Sequence, residues 1–259
     1  MRVDNMRVLS FGGGVNSTAL LFAMCIRNEK PDLVLFSDTG GEFPETYAHV
    51  EEIEEWCRIR SIEFVRVSNA GRGQGETLEE NCLERKELPS LAYGFKGCSA
   101  KWKRQPMDRY LAKHAWPQLL WENGQKVERC IGIDAGEGHR AVLTEDARYR
   151  YRYPLVEWGI DRDECVRLIA ERGIKVPRKS SCFFCPAMRR REIFEMQSTH
   201  PELLERALKI ESNAVTHTVK GLGRNWSWQS LLQQDERQGK LFPETMDAPC
   251  GCHDQAEER

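Results

Sequence analysis

Arg7 to Phe11 is a short apolar, β-prone run, and Ala19 to Ile26 is a longer one made of helix formers. Between them stand Gly12, Gly13, Gly14, Val15, Asn16, Ser17 and Thr18, so the order reads strand, glycine loop, helix start. Leu33 to Phe36 is continuously apolar, as a buried parallel strand is. Pro44 then opens a helix, with Glu42 and Glu45 near its N-terminus and Tyr47, Val50, Ile53 and Cys57 at helical spacing. Ile62 to Val67 alternates as a third strand, and Val127 to Ile133 reads as a fourth. Residues 69–96 predict a long loop carrying one helix, and Asp108 to His114 predicts another helix. Asp161 to Gly173 is a well-marked helix: Asp161 and Glu164 form a capping box, and Gly173 occupies the C′ position. Arg189 to Val219 predicts one long amphipathic helical region.

Strands alternating with helices imply an α/β fold, an open parallel sheet with helices on both faces and right-handed crossovers. The expected division is a nucleotide-binding domain over residues 1–176 and a smaller C-terminal helical part over residues 177–259. Ligands of such sheets bind at the carboxyl ends of the strands. Gly12–Ser17 and Asp38–Gly41 both fall there.

Charge and composition narrow the function classes. With 38 Lys and Arg against 40 Asp and Glu, the formal charge of −2 gives no broad footprint for nucleic acid. A local patch such as Arg189–Arg191 could bind an acidic partner, but a solvated helix face is the better reading of it. No apolar run approaches the roughly 18 residues of a membrane span. The N-terminus runs straight into a strand with no secretory segment, so the expectation is a cytoplasmic protein with no membrane partner. Ten cysteines in that setting are thiols or metal ligands rather than a disulfide framework. Cys25, Cys57 and Cys165, on helices, suit burial. Trp226 and Trp228 read as core aromatics.

The glycine loop carries the first chemical signal. Glycines let a backbone approach an anion, and a helix N-terminus offers free N–H groups and partial positive charge. No Lys follows the glycines, which excludes a Walker loop, and Ser17 stands where a dinucleotide fingerprint needs its third Gly. What remains resembles the pyrophosphate loop of the PP-loop ATPases, Ser-Gly-Gly-x-Asp-Ser-Thr, with Gly12 for the Ser and Asn16 for the Asp. Ser37-Asp38-Thr39-Gly40-Gly41-Glu42-Phe43-Pro44-Glu45-Thr46 resembles the D-T-G-x-x-F-x-E-T segment of the phosphoadenosine phosphosulfate (PAPS) reductase family, a PP-loop branch. Cys98 to Met107 resembles that family's C-C-x-x-R-K-x-x-P-L segment, with Cys98 and Lys103 matching, Ser99 replacing the second Cys and Trp102 replacing the Arg. Gly132 to Arg140 resembles a ligand-end segment of PP-loop relatives, and Tyr153 to Trp158 a short N/Y-P-L/I-x-x-W segment.

The resemblance spans roughly residues 6–190. It implies that Ser10, Gly12, Gly13, Gly14, Asn16, Ser17, Thr18, Asp38 and Thr39 bind an adenine nucleotide, with Mg²⁺, and that Lys103 and Arg140 neutralise transition-state charge. Cys182-Phe183-Phe184-Cys185-Pro186 is a C-x-x-C pair that can hold a metal or act as a dithiol. Lying 84 residues after Cys98, it resembles the iron–sulfur branch of the family. Cys98, Cys182, Cys185 and Cys252 are then candidate ligands of a 4Fe-4S cluster, with Zn as the alternative. Cys250-Gly251-Cys252-His253 also resembles the family's C-G-L/I-H end, which makes Cys250 a candidate nucleophile.

Three functions follow. The first is ATP cleavage between the α and β phosphates, adenylating an acceptor for sulfur transfer from a sulfur donor. A nucleic-acid acceptor is one option. The second is reduction of adenylyl sulfate or PAPS to sulfite by Cys250, with a thioredoxin-like reductant. The third, prompted by Asn16, is a nucleotide-binding module without catalysis.

Overall fold

A computed structural model describes residues 6–69, 76–142 and 145–238. Contacts within the chain divide it into two compact units. The first takes the chain up to Leu78 together with Cys98–Cys182, and the second takes Glu79–Gly97 and the chain from Phe183.

The first unit is built on five strands: β1 (Arg7–Phe11), β2 (Leu33–Asp38), β3 (Glu63–Ser68), β4 (Val127–Ile131) and β5 (Tyr149–Arg152). Their order is β3-β2-β1-β4-β5, and every neighbouring pair is parallel. Helix α1 (Val15–Ile26) joins β1 to β2, and α2 (Pro44–Ile59) joins β2 to β3. Successive strand residues point to opposite faces, and both faces are covered. Leu9, Phe11, Val34 and Phe36 pack with α1 and α2 on one face, while Val8, Leu33 and Leu35 pack on the other. This explains why β1 and β2 are apolar without alternation.

Helix α3 (Leu78–Arg85) starts at the boundary between the units, inside the stretch expected to be loop with one helix. Helices α4 (Gln105–Leu111) and α5 (Ala115–Glu122) precede β4, and Met107, Leu111 and Leu120 bury themselves against Val8 and Leu35. A short α6 (Pro154–Glu157) and then α7 (Arg162–Ala170) follow β5. Asp161 caps α7 by accepting the Glu164 N–H at 2.9 Å, as the sequence predicts, but the helix ends at Ala170 with Glu171 as its C-cap, so Gly173, at φ +68°, stands one residue beyond the expected C′ position. The fifth strand was not predicted: Tyr149-Arg150-Tyr151-Arg152 is an edge strand whose charged face looks like loop.

The second unit is helical. The single region expected over 189–219 is two helices, α8 (Arg190–Thr199) and α9 (Pro201–Asn213). His200 takes extended φ before Pro201, which cannot continue the preceding helix. Helix α10 (Trp228–Gln238) begins at Trp228, which is fully buried, as a core aromatic should be. Among the described residues no helix is long and apolar enough to cross a membrane.

Candidate active site

The strand order reverses beside β1: the chain runs outward through β2 and β3, then returns to place β4 on β1's other side. The carboxyl ends of β1 and β4 therefore flank a crevice of the kind that holds ligands in open α/β sheets. Gly12–Gly14 lies at this point, immediately before α1. Gly13 has φ +71°, and a Cβ there would fall 3.0 Å from Thr46 Cγ2. From the β4 side Gly132 closes on the loop, where a Cβ would lie 2.8 Å from the Ser17 nitrogen and from the Asn16 carbonyl carbon.

Helix α1 has no side-chain cap and no acidic residue in its first turn. Its first N–H groups are therefore left for an anion. Ser17 closes the loop on itself, donating to the Gly14 carbonyl at 3.0 Å and accepting the Gly12 N–H at 3.2 Å. Thr18 is fully buried and donates to the same carbonyl at 2.9 Å. Its single hydroxyl proton is thus used, so His49, 2.9 Å away, donates from Nε2. Burial lowers the His49 pKa to about 4, which keeps the ring neutral. Ser10, half-buried on β1, lies between Leu35 and Ile131 in the sheet register.

Asn16 accounts for its own place in the loop. Its Nδ2 donates to Asp134 Oδ2 at 2.9 Å, and its Oδ1 accepts from Arg162 Nη1 at 2.8 Å. Asp134 is buried just past β4 and also accepts the Glu137 N–H at 3.1 Å. The Ala135 N–H reaches the Ile160 carbonyl at 2.8 Å, so the chain entering α7 meets the chain leaving β4 here. Arg140 stands in the turn that follows, half-exposed and 2.6 Å from Glu137.

The end of β2 supplies side chains instead. Asp38 Oδ1 accepts the Gly40 N–H at 2.7 Å and the Tyr47 hydroxyl at 2.8 Å. Burial and then the Asp38 hydrogen bond push the Tyr47 pKa up. Thr39 Oγ1 lies 3.4 Å from Glu42 Oε1 and 3.2 Å from Cys182 Sγ. The Glu42 side chain is wholly buried, and its Oε1 is 3.3 Å from Lys103 Nζ. Its Oε2 has no hydrogen-bond partner among the described residues. Glu42 also forms a backbone bridge to Cys182.

Lys103 arrives on a widened turn. Ser99–Arg104 is π-helical and leads into α4, where Pro106 stands in the first turn. In an α-helix the Trp102 carbonyl would accept from the N–H of residue 106, which proline lacks. Ser37 at the end of β2 donates to that carbonyl at 2.9 Å. The sequence marks this segment by its cations, but not the exchange that fastens it to the sheet. Glu42, Gly132, Asp134 and Arg162 were also not singled out as site residues. Glu42 lies within the Ser37–Thr46 segment and Gly132 and Asp134 within the Gly132–Arg140 segment, so the segments carry a signal although these residues do not stand out in them, and Arg162 carries none.

Cys98 opens the helix that carries Lys103, and Cys182 ends the first unit. Cys185 belongs to the second unit, where its carbonyl accepts the Met188 N–H at 2.9 Å. Cys250 and Cys252 lie outside the described residues. Among the described residues no three His, Cys, Asp or Glu side chains are gathered as a metal site.

Residues 6–129 match the phosphoadenosine phosphosulfate reductase domain model. An uncharacterized protein of Methanocaldococcus jannaschii is 26% identical over 246 residues, covering 87% of this chain and 46% of that protein. The chain thus spans less than half the length of that relative. Among solved structures, the U34-tRNA thiolase of Methanococcus maripaludis, with its 4Fe-4S cluster, matches at 13% identity with a TM-score of 0.41, covering 94% of this chain and 84% of that one.

Proposed function

We propose, from the premise that residues 6–129 belong to the phosphoadenosine phosphosulfate reductase domain family, that this chain binds ATP and cleaves it between the α and β phosphates. The observation that carries this reading is the uncapped first turn of α1, set behind the left-handed Gly13 at the switch point of the sheet. Such a cradle suits a pyrophosphate group.

In this reading the glycine loop and the first N–H groups of α1 hold the β and γ phosphates. Asp38, whose Oδ1 accepts from Gly40 and Tyr47, is the residue that would hold Mg²⁺, and the ion would supply charge neutralisation on the phosphates. An acceptor oxygen or nitrogen attacks the α phosphorus. The bond to the bridging oxygen breaks, and pyrophosphate leaves with the electron pair. Lys103 and Arg140 stabilise the charge that develops. A sulfur nucleophile then attacks the adenylated acceptor and displaces AMP. Asn16, tied to Asp134 and Arg162, supports an intact loop rather than a decayed one.

The test is pyrophosphate release by purified protein with Mg²⁺ and ATP across a panel of acceptors and sulfide. Pyrophosphate and AMP in equal amounts are expected. ATP bound without pyrophosphate under any condition would leave a binding module. The family match favours a second reading, sulfonucleotide reduction with Cys250 as nucleophile. There Cys250→Ser abolishes sulfite release from adenylyl sulfate. Under the first reading it leaves pyrophosphate release intact.

A further inference from the structure

We propose that Glu42 is a positioning residue that holds Lys103 at the nucleotide phosphates, an inference that rests on the phosphate role given to Lys103 above. A carboxylate with no exposed side-chain surface is costly unless it is paired. Glu42 is only partly satisfied: Oε1 meets Lys103 and Thr39, and Oε2 meets nothing among the described residues. Replacing a whole buried ion pair by well-packed apolar groups is often neutral or stabilising, so stability alone does not account for this pair. What Glu42 supplies is direction. A lysine side chain has large rotamer freedom, and an ammonium held before the substrate arrives does not lose it at the transition state.

The surrounding contacts fix both partners. Glu42 is held by its backbone bridge to Cys182 and by Thr39 beside it. Lys103 is held by the π-helical turn, whose Trp102 carbonyl is bonded to Ser37. The carboxylate and the ammonium thus come from two segments that are both anchored at the end of β2. Lys103 is 37% exposed while Glu42 is closed off, so the lysine and not the glutamate is placed to reach a ligand.

The test is a four-protein cycle of wild type, E42Q, K103M and E42Q/K103M, with ATP-dependent pyrophosphate release, ATP affinity and melting temperature measured on each. E42Q should lower kcat roughly 10- to 100-fold while KM for ATP stays within about threefold, because the group acts through a residue used in the transition state. In the K103M background, adding E42Q should change kcat less than about twofold. K103M should melt lower than E42Q/K103M, since it leaves a buried carboxylate alone. E42D, which keeps the charge, should recover part of the E42Q loss. Unchanged turnover in E42Q, or losses that multiply in the double variant, overturns the proposal. Should E42Q not fold, the comparison of K103M with E42Q/K103M decides it: equal kcat supports the coupling, and a further loss overturns it. Wild-type protein that releases neither pyrophosphate nor sulfite sinks the underlying reading, and the inference with it. Wild-type turnover with an uncoupled cycle sinks the inference alone.

Discussion

At the end of β1 the groups offered to a ligand belong to the backbone, whereas at the end of β2 they are a hydroxyl, a carboxylate and an ammonium. The β1 side is shaped by Gly13 and Gly132 and by the N–H groups of an uncapped helix. The β2 side is shaped by Asp38, Thr39, Glu42 and Lys103. The two sides should therefore respond to mutation in opposite ways. A backbone-made site tolerates a changed side chain but not a Cβ where chains touch. A side-chain-made site fails through loss of charge or hydrogen bonds, with the fold intact.

The hardest blow to this contrast is Gly132→Val. Its Cβ must displace the backbone of Asn16 and Ser17, so ATP affinity should fall at least about 100-fold in a calorimetric titration, with a cooperative melt retained. Affinity within threefold of wild type would mean that the β1 side is not where ATP binds.

Next in size is a pH effect beneath the same loop. His49 titrates at about 4 in the folded chain against an ordinary value of 6.5. Between those values the unfolded chain takes up the proton first, so the stability it contributes is present above pH 6.5 and is lost as pH falls towards 4. The full loss is about 3 kcal/mol. Urea melts at pH 7 and pH 4 should show this part disappear in His49→Gln, which keeps a donor for Thr18. An unchanged pH slope would exclude His49 as its source.

Asn16→Asp sharpens the contrast further. It sets two carboxylates 2.9 Å apart, the present separation between Asn16 Nδ2 and Asp134 Oδ2. A destabilisation of about 1–2 kcal/mol is expected, with recovery in Asn16→Asp/Asp134→Asn. Failure of the second change to restore the melting temperature would show that the pair is not coupled. The smallest effect should come from Gly12→Ser, where a Cβ meets nothing closer than 3.9 Å. ATP affinity should stay within about twofold.

Much of this architecture is legible in the sequence because it depends on local pattern. The apolar runs of β1 and β2 announce strands buried on both faces, and Gly12–Gly14 before a helix announces the cradle. What escapes is either long-range or locally ambiguous. Asn16 meets Asp134 across 118 residues, and nothing near either marks the other. Glu42 reads as a helix-leading acid, since only the approach of Lys103, 61 residues later, makes it a buried ion. β5 is short, with arginines in alternation, so its pattern is that of a polar loop. Pro106 marks only the match of the Cys98–Met107 segment until the π turn before it is seen.

That turn has a mechanical consequence. A helix that has given one of its carbonyls to Ser37 cannot rotate about its own axis without breaking that bond or dragging the end of β2 with it. Cys98 stands at its start and Lys103 within it, so the segment that carries both is fastened to the end of β2 by a bond that neither of them makes.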